Sequence, residues 1–88
     1  VVEQQGNIKN GSKDGEWIYY FQDGEIAVKK NYKNGKMNGK WTYYNGTGGI
    51  SSEHTYIDGK REGKWTWYRN NGQIKKLENY INGKLLKP

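Results

Sequence analysis

Tryptophan recurs at Trp17, Trp41 and Trp65, 24 residues apart each time, and the residues around each one recur with it. A chain of this kind folds as stacked copies of one small unit, so the period limits what every other residue can do. Asn10-Gly11, Asn34-Gly35, Asp58-Gly59 and Asn82-Gly83 form one column, and Gly15, Gly39 and Gly63 a second. Tyr19, Tyr43 and Trp67 are followed by Tyr20, Tyr44 and Tyr68. Further along come Asp23-Gly24, Thr47-Gly48 and Asn71-Gly72, then Ile26, Ile50 and Ile74, then Tyr32, Tyr56 and Tyr80. The period divides a single repeat domain, 1–88, into a half unit 1–10, full units 11–34, 35–58 and 59–82, and a partial unit 83–88. Run backward, it puts Val2 on the isoleucine column and Ile8 on the tyrosine column.

Only 32% of the 88 residues are apolar, too few for a thick aliphatic core, whereas 15% are aromatic and sit almost wholly in the repeat columns. Rings must therefore supply most of the buried area, and neighbouring units must bury one another. Disorder is disfavoured, because disordered segments are poor in aromatic residues. Thirteen glycines against one proline suit a chain of tight turns. The absence of cysteine excludes a disulfide scaffold and any thiolate metal site. No stretch has the apolar length of a membrane span or a signal peptide. A start at Val1, in mid-repeat, reads as a processed product or a trimmed fragment, and the Lys, Asn and Ile bias suits a low-GC bacterial coding sequence.

Within one unit, residues 16–21 alternate aromatic and β-branched side chains, Gln22-Asp23-Gly24 interrupts, and residues 25–32 alternate again. That pattern predicts two strands joined by a hairpin. The longer Asn-Gly-Lys-Xaa-Xaa-Gly connection, at 34–39 and 58–63, leads into the next unit, so every strand is antiparallel to its neighbours. No apolar stripe of period 3.6 appears and glycine falls about every ten residues, so helix is disfavoured throughout. With a strand at Val2 to Ile8 and another at Lys84 to Lys87, the chain makes a sheet of seven or eight strands, about 35 Å across at about 4.8 Å per strand. Trp17, Trp41 and Trp65 should share one face near the Ile26/Ile50/Ile74 and Tyr32/Tyr56/Tyr80 columns. The other face should carry Ile18, Thr42 and Thr66 with Tyr20, Tyr44 and Tyr68. Gly15, Gly39, Gly63, Gly35, Gly59 and Gly83 join the tryptophans as structural positions.

The run Tyr32-Lys33-Asn34-Gly35-Lys36-Met37-Asn38-Gly39-Lys40-Trp41-Thr42-Tyr43-Tyr44 and its equivalent from Tyr56 to Tyr68 resemble the MORN repeat. The closer resemblance is to its bacterial variant, associated with antitoxin components of toxin–antitoxin systems. It covers nearly the whole chain and implies an elongated, twisted antiparallel sheet of stacked hairpins. The chain departs from the pattern in its shortened first unit, in Gly46-Thr47-Gly48-Gly49 at one turn, and in a final unit without tryptophan. For function the resemblance implies scaffolding, protein partners, association with acidic membrane lipid, and for the variant a toxin-neutralising or secreted role. It favours export or the bacterial cell surface over the cytoplasm.

Catalysis finds few parts. His54 is the single histidine, with no cysteine and no recurring serine beside it, so no nucleophile with a base and no metal cluster can be assembled. It stands in the column of Lys30 and Glu78 and reads as a solvated sheet position. Gly46-Thr47-Gly48-Gly49 lacks the lysine and helix of a phosphate-cradling loop and reads as a turn. Asp14 with Glu16, and Asp23 with Glu25, read as surface charges. No cofactor is implied.

Charge is more informative. Along the Asn-Gly-Lys edge, Lys13, Lys33, Lys36, Lys40, Lys60, Arg61, Lys64 and Lys84 face Asp14, Glu16, Asp58 and Glu62, a surplus of four within a total net charge of +6. Lys36, Lys40, Lys60, Arg61 and Lys64 are the candidate basic edge, suited to an acidic protein or anionic lipid headgroups. Lysines that merely keep turns soluble would look the same. Nucleic acid fits least, because the aromatic residues recur at structural positions. Tyr20, Tyr44, Tyr68 and Trp67 form a candidate protein-binding face, since a single-layered sheet cannot bury them all. The reading is therefore an all-β, non-catalytic module that binds a protein partner, with anionic-lipid binding as the alternative. Its open sheet edges invite a partner strand or another copy, and self-association is the expected result.

Overall fold

The computed structural model describes residues 3–86, which form strands and turns with no helix. The strands are β1 (Glu3–Lys9), β2 (Ser12–Tyr20), β3 (Ile26–Lys33), β4 (Lys36–Met37), β5 (Gly39–Tyr44), β6 (Ile50–Ile57), β7 (Lys60–Arg61), β8 (Gly63–Tyr68), β9 (Ile74–Ile81) and β10 (Lys84–Leu86). All lie in one antiparallel sheet of order β1-β2-β3-β5-β6-β8-β9-β10, with β4 pairing β3 and β7 pairing β6. The short β4 and β7 run in line with β5 and β8, so the sheet has eight strand positions, the upper of the two counts that the repeat allows. Val2 and Lys87, where the first and last strands were expected to begin and end, lie outside the described residues. The sheet measures 41 × 32 × 12 Å, and 12 Å is the thickness of one layer with its side chains.

Each unit turns twice, by different means. Asn10, Asn34, Asp58 and Asn82 have φ of 51, 52, 50 and 51°, and the glycines after them have φ of 81 to 83°. Two consecutive left-handed residues make a type I′ turn, whose twist matches that of the flanking strands. The other connection is a three-residue loop in the outer units. At Phe21, the N–H of Gly24 donates to the Phe21 carbonyl at 3.0 Å and the Phe21 N–H to the Glu25 carbonyl at 2.8 Å. Gly24 takes a φ of 90°, closing a type I turn into a glycine bulge.

Consecutive units are joined edge to edge and tip to tip. The Gly35, Gly59 and Gly83 N–H groups donate to the carbonyls of Lys13, Met37 and Arg61 at 3.0, 2.8 and 2.9 Å, so each type I′ turn rests on the unit before it. The indole of each tryptophan donates across to the preceding strand, from Trp17 to Asn7, from Trp41 to Asn31 and from Trp65 to Thr55, at 3.0 Å in all three. Burial concentrates there. Trp17, Trp41, Trp65 and Tyr80 are 5 to 9% exposed, with Ala27 beside them at 2%.

One expectation about the faces fails. Tyr19 pairs with Val28 but Tyr20 with Ile26, Tyr43 with Ser52 but Tyr44 with Ile50, and Trp67 with Lys76 but Tyr68 with Ile74. One extra residue, Ala27, Ser51 or Lys75, bulges in each unit and inverts the alternation beyond it. The Ile26, Ile50 and Ile74 column therefore shares a face with Tyr20, Tyr44 and Tyr68, opposite the tryptophans. Tyr32, Tyr56 and Tyr80 remain on the tryptophan face as expected, since the bulge lies beyond them.

Candidate functional site

The tryptophan face is a stack of rings. Tyr32, Trp41, Tyr56, Trp65 and Tyr80 follow one another with centroids 5.6, 5.1, 5.1 and 5.2 Å apart. Cations lie over the rings: Lys13 and Lys30 stand 4.8 Å from the Trp17 and Trp41 centroids, Arg61 4.8 Å from that of Trp65, and Lys76 5.1 Å from that of Trp67. Their stems cover ring surface while their charged heads remain at the water boundary. Lys13 and Arg61 are thus ring covers rather than members of a basic edge. Trp67 belongs here too, 6.2 Å from Trp65, because residues two apart on a strand point to the same side. It is not part of the tyrosine surface with which the sequence grouped it.

His54 is the second correction, since it is 8% exposed and not a solvated sheet position. Its ring is 4.2 Å from that of Trp65 and lies edge-on to Tyr43 and Trp67 at 5.4 and 5.3 Å. Nε2 meets Ser52 Oγ at 3.0 Å, and Nδ1 is the one buried side-chain polar atom without a partner among the described residues. Lys30 in the same column spans outward over two rings, but a short imidazole has no such reach and stays down among them. Burial, and secondarily the charge of Arg61, hold its pKa below the ordinary 6.5. The unfolded chain therefore takes up the proton first. Stability that is fully present above pH 6.5 should fall as pH drops below it, and go on falling until the folded protein also protonates. Urea unfolding between pH 7.5 and pH 5, about 1 unit either side of the imidazole range, should show the midpoint dropping in the parent and staying level in a His54→Gln variant.

The opposite face carries Tyr20, Tyr44 and Tyr68, all half-buried, with Ile26 and Ile50 half-buried and Ile74 exposed. Thr42 and Thr66, each 8% exposed, lie between them on the strand interiors. Glu53 ties the centre together. It accepts from the Tyr68 hydroxyl at 2.6 Å and pairs with Lys40 at 2.7 Å. The hydrogen bonds from Lys40 and Tyr68 hold its carboxyl below the ordinary range, and the same contact raises the Tyr68 phenol. Strand alternation gives Lys36, Lys40, Lys60 and Lys64 this face as well, so four of the five residues of the expected basic edge share a side and Arg61 does not. Glu53 sets a carboxylate beside Lys40 and so offsets part of the lysine charge on this face.

Sequence reasoning missed the aliphatic end of this face. Ile57, Ile74, Leu77, Ile81 and Leu86 are 47 to 57% exposed, and all lie opposite the tryptophans by register. The signal was present in the columns, where Leu77 replaces Lys29 and Glu53, and Leu86 replaces Asn38 and Glu62. Asp14 and Glu16 lie within β2, whereas the Asp23–Glu25 pair and the glycine run have turn roles. Asp23 Oδ1 accepts the Glu25 N–H at 2.9 Å, and Asn45 Oδ1 accepts the Thr47 N–H at 3.0 Å and its hydroxyl at 2.7 Å.

Three consecutive segments, 13–34, 37–58 and 61–82, match the MORN repeat variant and together cover most of the chain. The chain belongs to the MORN repeat variant family. No curated protein and no solved structure matches it. MORN repeats are generally interaction modules without catalytic activity, engaging proteins or membranes. In this MORN repeat chain the residues that recur in every unit, Trp17, Trp41 and Trp65 with their turn glycines, are taken up by the sheet itself. The columns between them are left half-exposed. Among the described residues no helix is long and apolar enough to cross a membrane.

Proposed function

We propose that this MORN repeat chain is a non-catalytic module that binds a protein partner through its tyrosine face, in a toxin-neutralising or bacterial surface role. The observation that supports the reading most is the single-layer sheet: at 12 Å thick it has no second layer of described residues over Tyr20, Tyr44 and Tyr68, which run beside exposed aliphatic residues. Half-exposed aromatic side chains on a flat, rigid, partly apolar surface are the usual anchors of protein recognition. The resemblance to antitoxin-associated repeats supports the choice of partner class.

Anionic lipid is the competing ligand, supported by the lysines that share this face. Lys36, Lys60 and Lys64 are exposed, but Lys40 is paired to Glu53 and Arg61 lies across the sheet. So sparse a charge is weak beside the clusters that hold proteins on membranes. Affinity capture from source-cell lysate on the immobilised chain, run beside flotation with phosphatidylserine vesicles, separates the two. Captured protein should fall about tenfold or more with Tyr44→Ala or Tyr68→Ala, while Trp67→Ala on the other face serves as the control. Flotation should be absent at about 0.15 M salt, where the Debye length is about 8 Å. Salt-sensitive flotation that disappears when Lys36, Lys60 and Lys64 are neutralised would reverse the assignment.

A further inference from the structure

Lysines on the tyrosine face stand in a fixed relation to the rings. The registers Lys29↔Thr42, Lys33↔Lys36, Lys40↔Thr55, Ile57↔Lys60 and Lys64↔Asn79 put six of them on that side between β3 and β8. Those strands carry one acidic residue, Glu53. Lys40 and Lys64 stand four residues before Tyr44 and Tyr68 on β5 and β8, about 13 Å along the strand at about 3.3 Å per residue. Thr42 and Thr66, short and 8% exposed, lie between, with Glu53 opposite both on β6. The result is a trough, with rings and isoleucines as one wall, lysines as the other and threonines as the floor. It includes a hollow of about 460 Å³ bounded by Lys40 and Lys64 on one side and by Tyr68, Ile74 and Leu77 on the other.

The form of the trough selects what can lie in it. It runs across β3, β5, β6 and β8, each of which is paired on both sides. An extended segment laid there would find no strand edge and would bury its own N–H and C=O groups unpaired. A helix satisfies its backbone internally, and helix on sheet is one of the few stable layer arrangements. Its diameter with side chains, about 10 to 12 Å, fits between walls about 13 Å apart. The periods agree as well. Tyr44 and Tyr68, Ile50 and Ile74, Lys40 and Lys64, and Lys36 and Lys60 are each two strand positions apart, which is about 9.6 Å. Seven residues of helix rise about 10.5 Å. Lysines at that interval are sparse for a membrane surface but regular for the flank of a helix.

Resting on the tyrosine-face reading, we infer that the partner presents an acidic amphipathic helix, which lies in this trough across the strands. Its apolar stripe packs on Tyr44, Ile50, Tyr68 and Ile74, and carboxylates seven residues apart on one flank reach Lys40 and Lys64. Charge on one wall only fixes which flank of the helix faces it. Glu53 opposes this ligand, because its carboxylate is on the trough floor and holds Lys40 at 2.7 Å. The same carboxylate accepts from the Tyr68 hydroxyl at 2.6 Å, a contact that an amide oxygen could also make.

A fluorescein-labelled peptide of about 21 residues, about 32 Å long as a helix, tests the trough when titrated with the 88-residue chain. It carries leucine on one helical stripe, glutamate on one flank, and alanine and glutamine elsewhere. One companion peptide has lysine in place of glutamate, and another has a central proline that breaks the helix. Saturable binding of the glutamate peptide is expected, weakening as salt rises from about 0.01 M to about 0.15 M, with both companions about tenfold weaker or more. Lys40→Gln together with Lys64→Gln should weaken it about fivefold or more. Glu53→Gln should strengthen it about two- to fivefold, a gain that a merely structural role for Glu53 would not give. Far-UV circular dichroism checks that each variant is folded. No binding at about 1 mM peptide, or equal binding of either companion, would overturn the helix assignment. The tyrosine-face reading would survive that result if Tyr44→Ala and Tyr68→Ala still reduce partner capture. Full-strength peptide binding by those two variants would overturn both. A parent that pairs with a second copy through this face and excludes the peptide would overturn the helix assignment too.

Discussion

Replacing Trp41 by alanine should remove about 3 to 5 kcal/mol of stability, the range for truncating a buried aromatic side chain. Small domains have about 5 to 15 kcal/mol in all, so the loss is a large part of the total. The size of the effect follows from position. Trp41 is 6% exposed, its ring lies 5.6 Å from that of Tyr32 and 5.1 Å from that of Tyr56, and Lys30 covers it at 4.8 Å. Its indole N–H also holds the Asn31 carbonyl at 3.0 Å. Alanine would therefore open a cavity between two units and expose the rings on either side. Trp41→Phe separates the contributions, since it retains much of the ring packing and loses the donor, and should cost about 1 to 2 kcal/mol. Urea unfolding followed by far-UV circular dichroism measures both variants. A Trp41→Ala protein that unfolds with the parent midpoint would show that the tryptophan column does not hold the units together.

Gly6→Ala should be the most disruptive change that adds a single methyl group. A Cβ at Gly6 would stand 2.2 Å from Cδ2 and 2.4 Å from Cγ of Trp17, within the indole itself. Gly6 does not have a positive φ, so the objection is steric and not conformational. Its column holds Lys30, His54 and Glu78 in the later units. In the first unit the missing side chain lets the indole of Trp17 lie directly on β1, beside the irregularity between Gln5 and Asn7. Either the ring must lift or the edge strand must move away, at about 1 to 3 kcal/mol, the usual penalty for overpacking. The melting temperature should fall by about 4 °C or more, given about 4 to 8 °C per kcal/mol for a domain of this size. A double-mutant cycle with Trp17→Ala tests the cause. If the two changes add, the loss at Gly6 does not arise from the indole.

The two kinds of column differ in how far a sequence can interpret them. Asn34-Gly35 and its counterparts were legible because left-handed φ is a property of the residue pair itself, and all four pairs adopt it. Trp41 was legible as a structural anchor because its recurrence needs a recurring environment, and the environment repeats down to the indole bond. Trp67 and His54 were misread for a different reason. The tyrosine grouping of Trp67 ignored the pleat that ties it to Trp65, and column membership put His54 in water although its neighbours in that column, Lys30 and Glu78, are longer side chains. Leu77 was overlooked because the repeat draws attention to what stays the same, whereas its interest lies in breaking the pattern.

The sequence by itself determined the period, the two turns of each unit and the antiparallel order, because each depends on local backbone preference or on simple repetition. Only the tertiary structure decided which side chains share a face beyond the bulge of each unit. Facing is a matter of parity along a strand, and one extra residue reverses it. Ala27, Ser51 and Lys75, the residues that bulge, have no chemistry in common that would mark them in advance. The pairing of Tyr20, Tyr44 and Tyr68 with Ile26, Ile50 and Ile74 emerges only when the strands are laid against one another. Arg61 lies away from the lysines for a simpler reason, the alternation along β7 that pairs it with Tyr56.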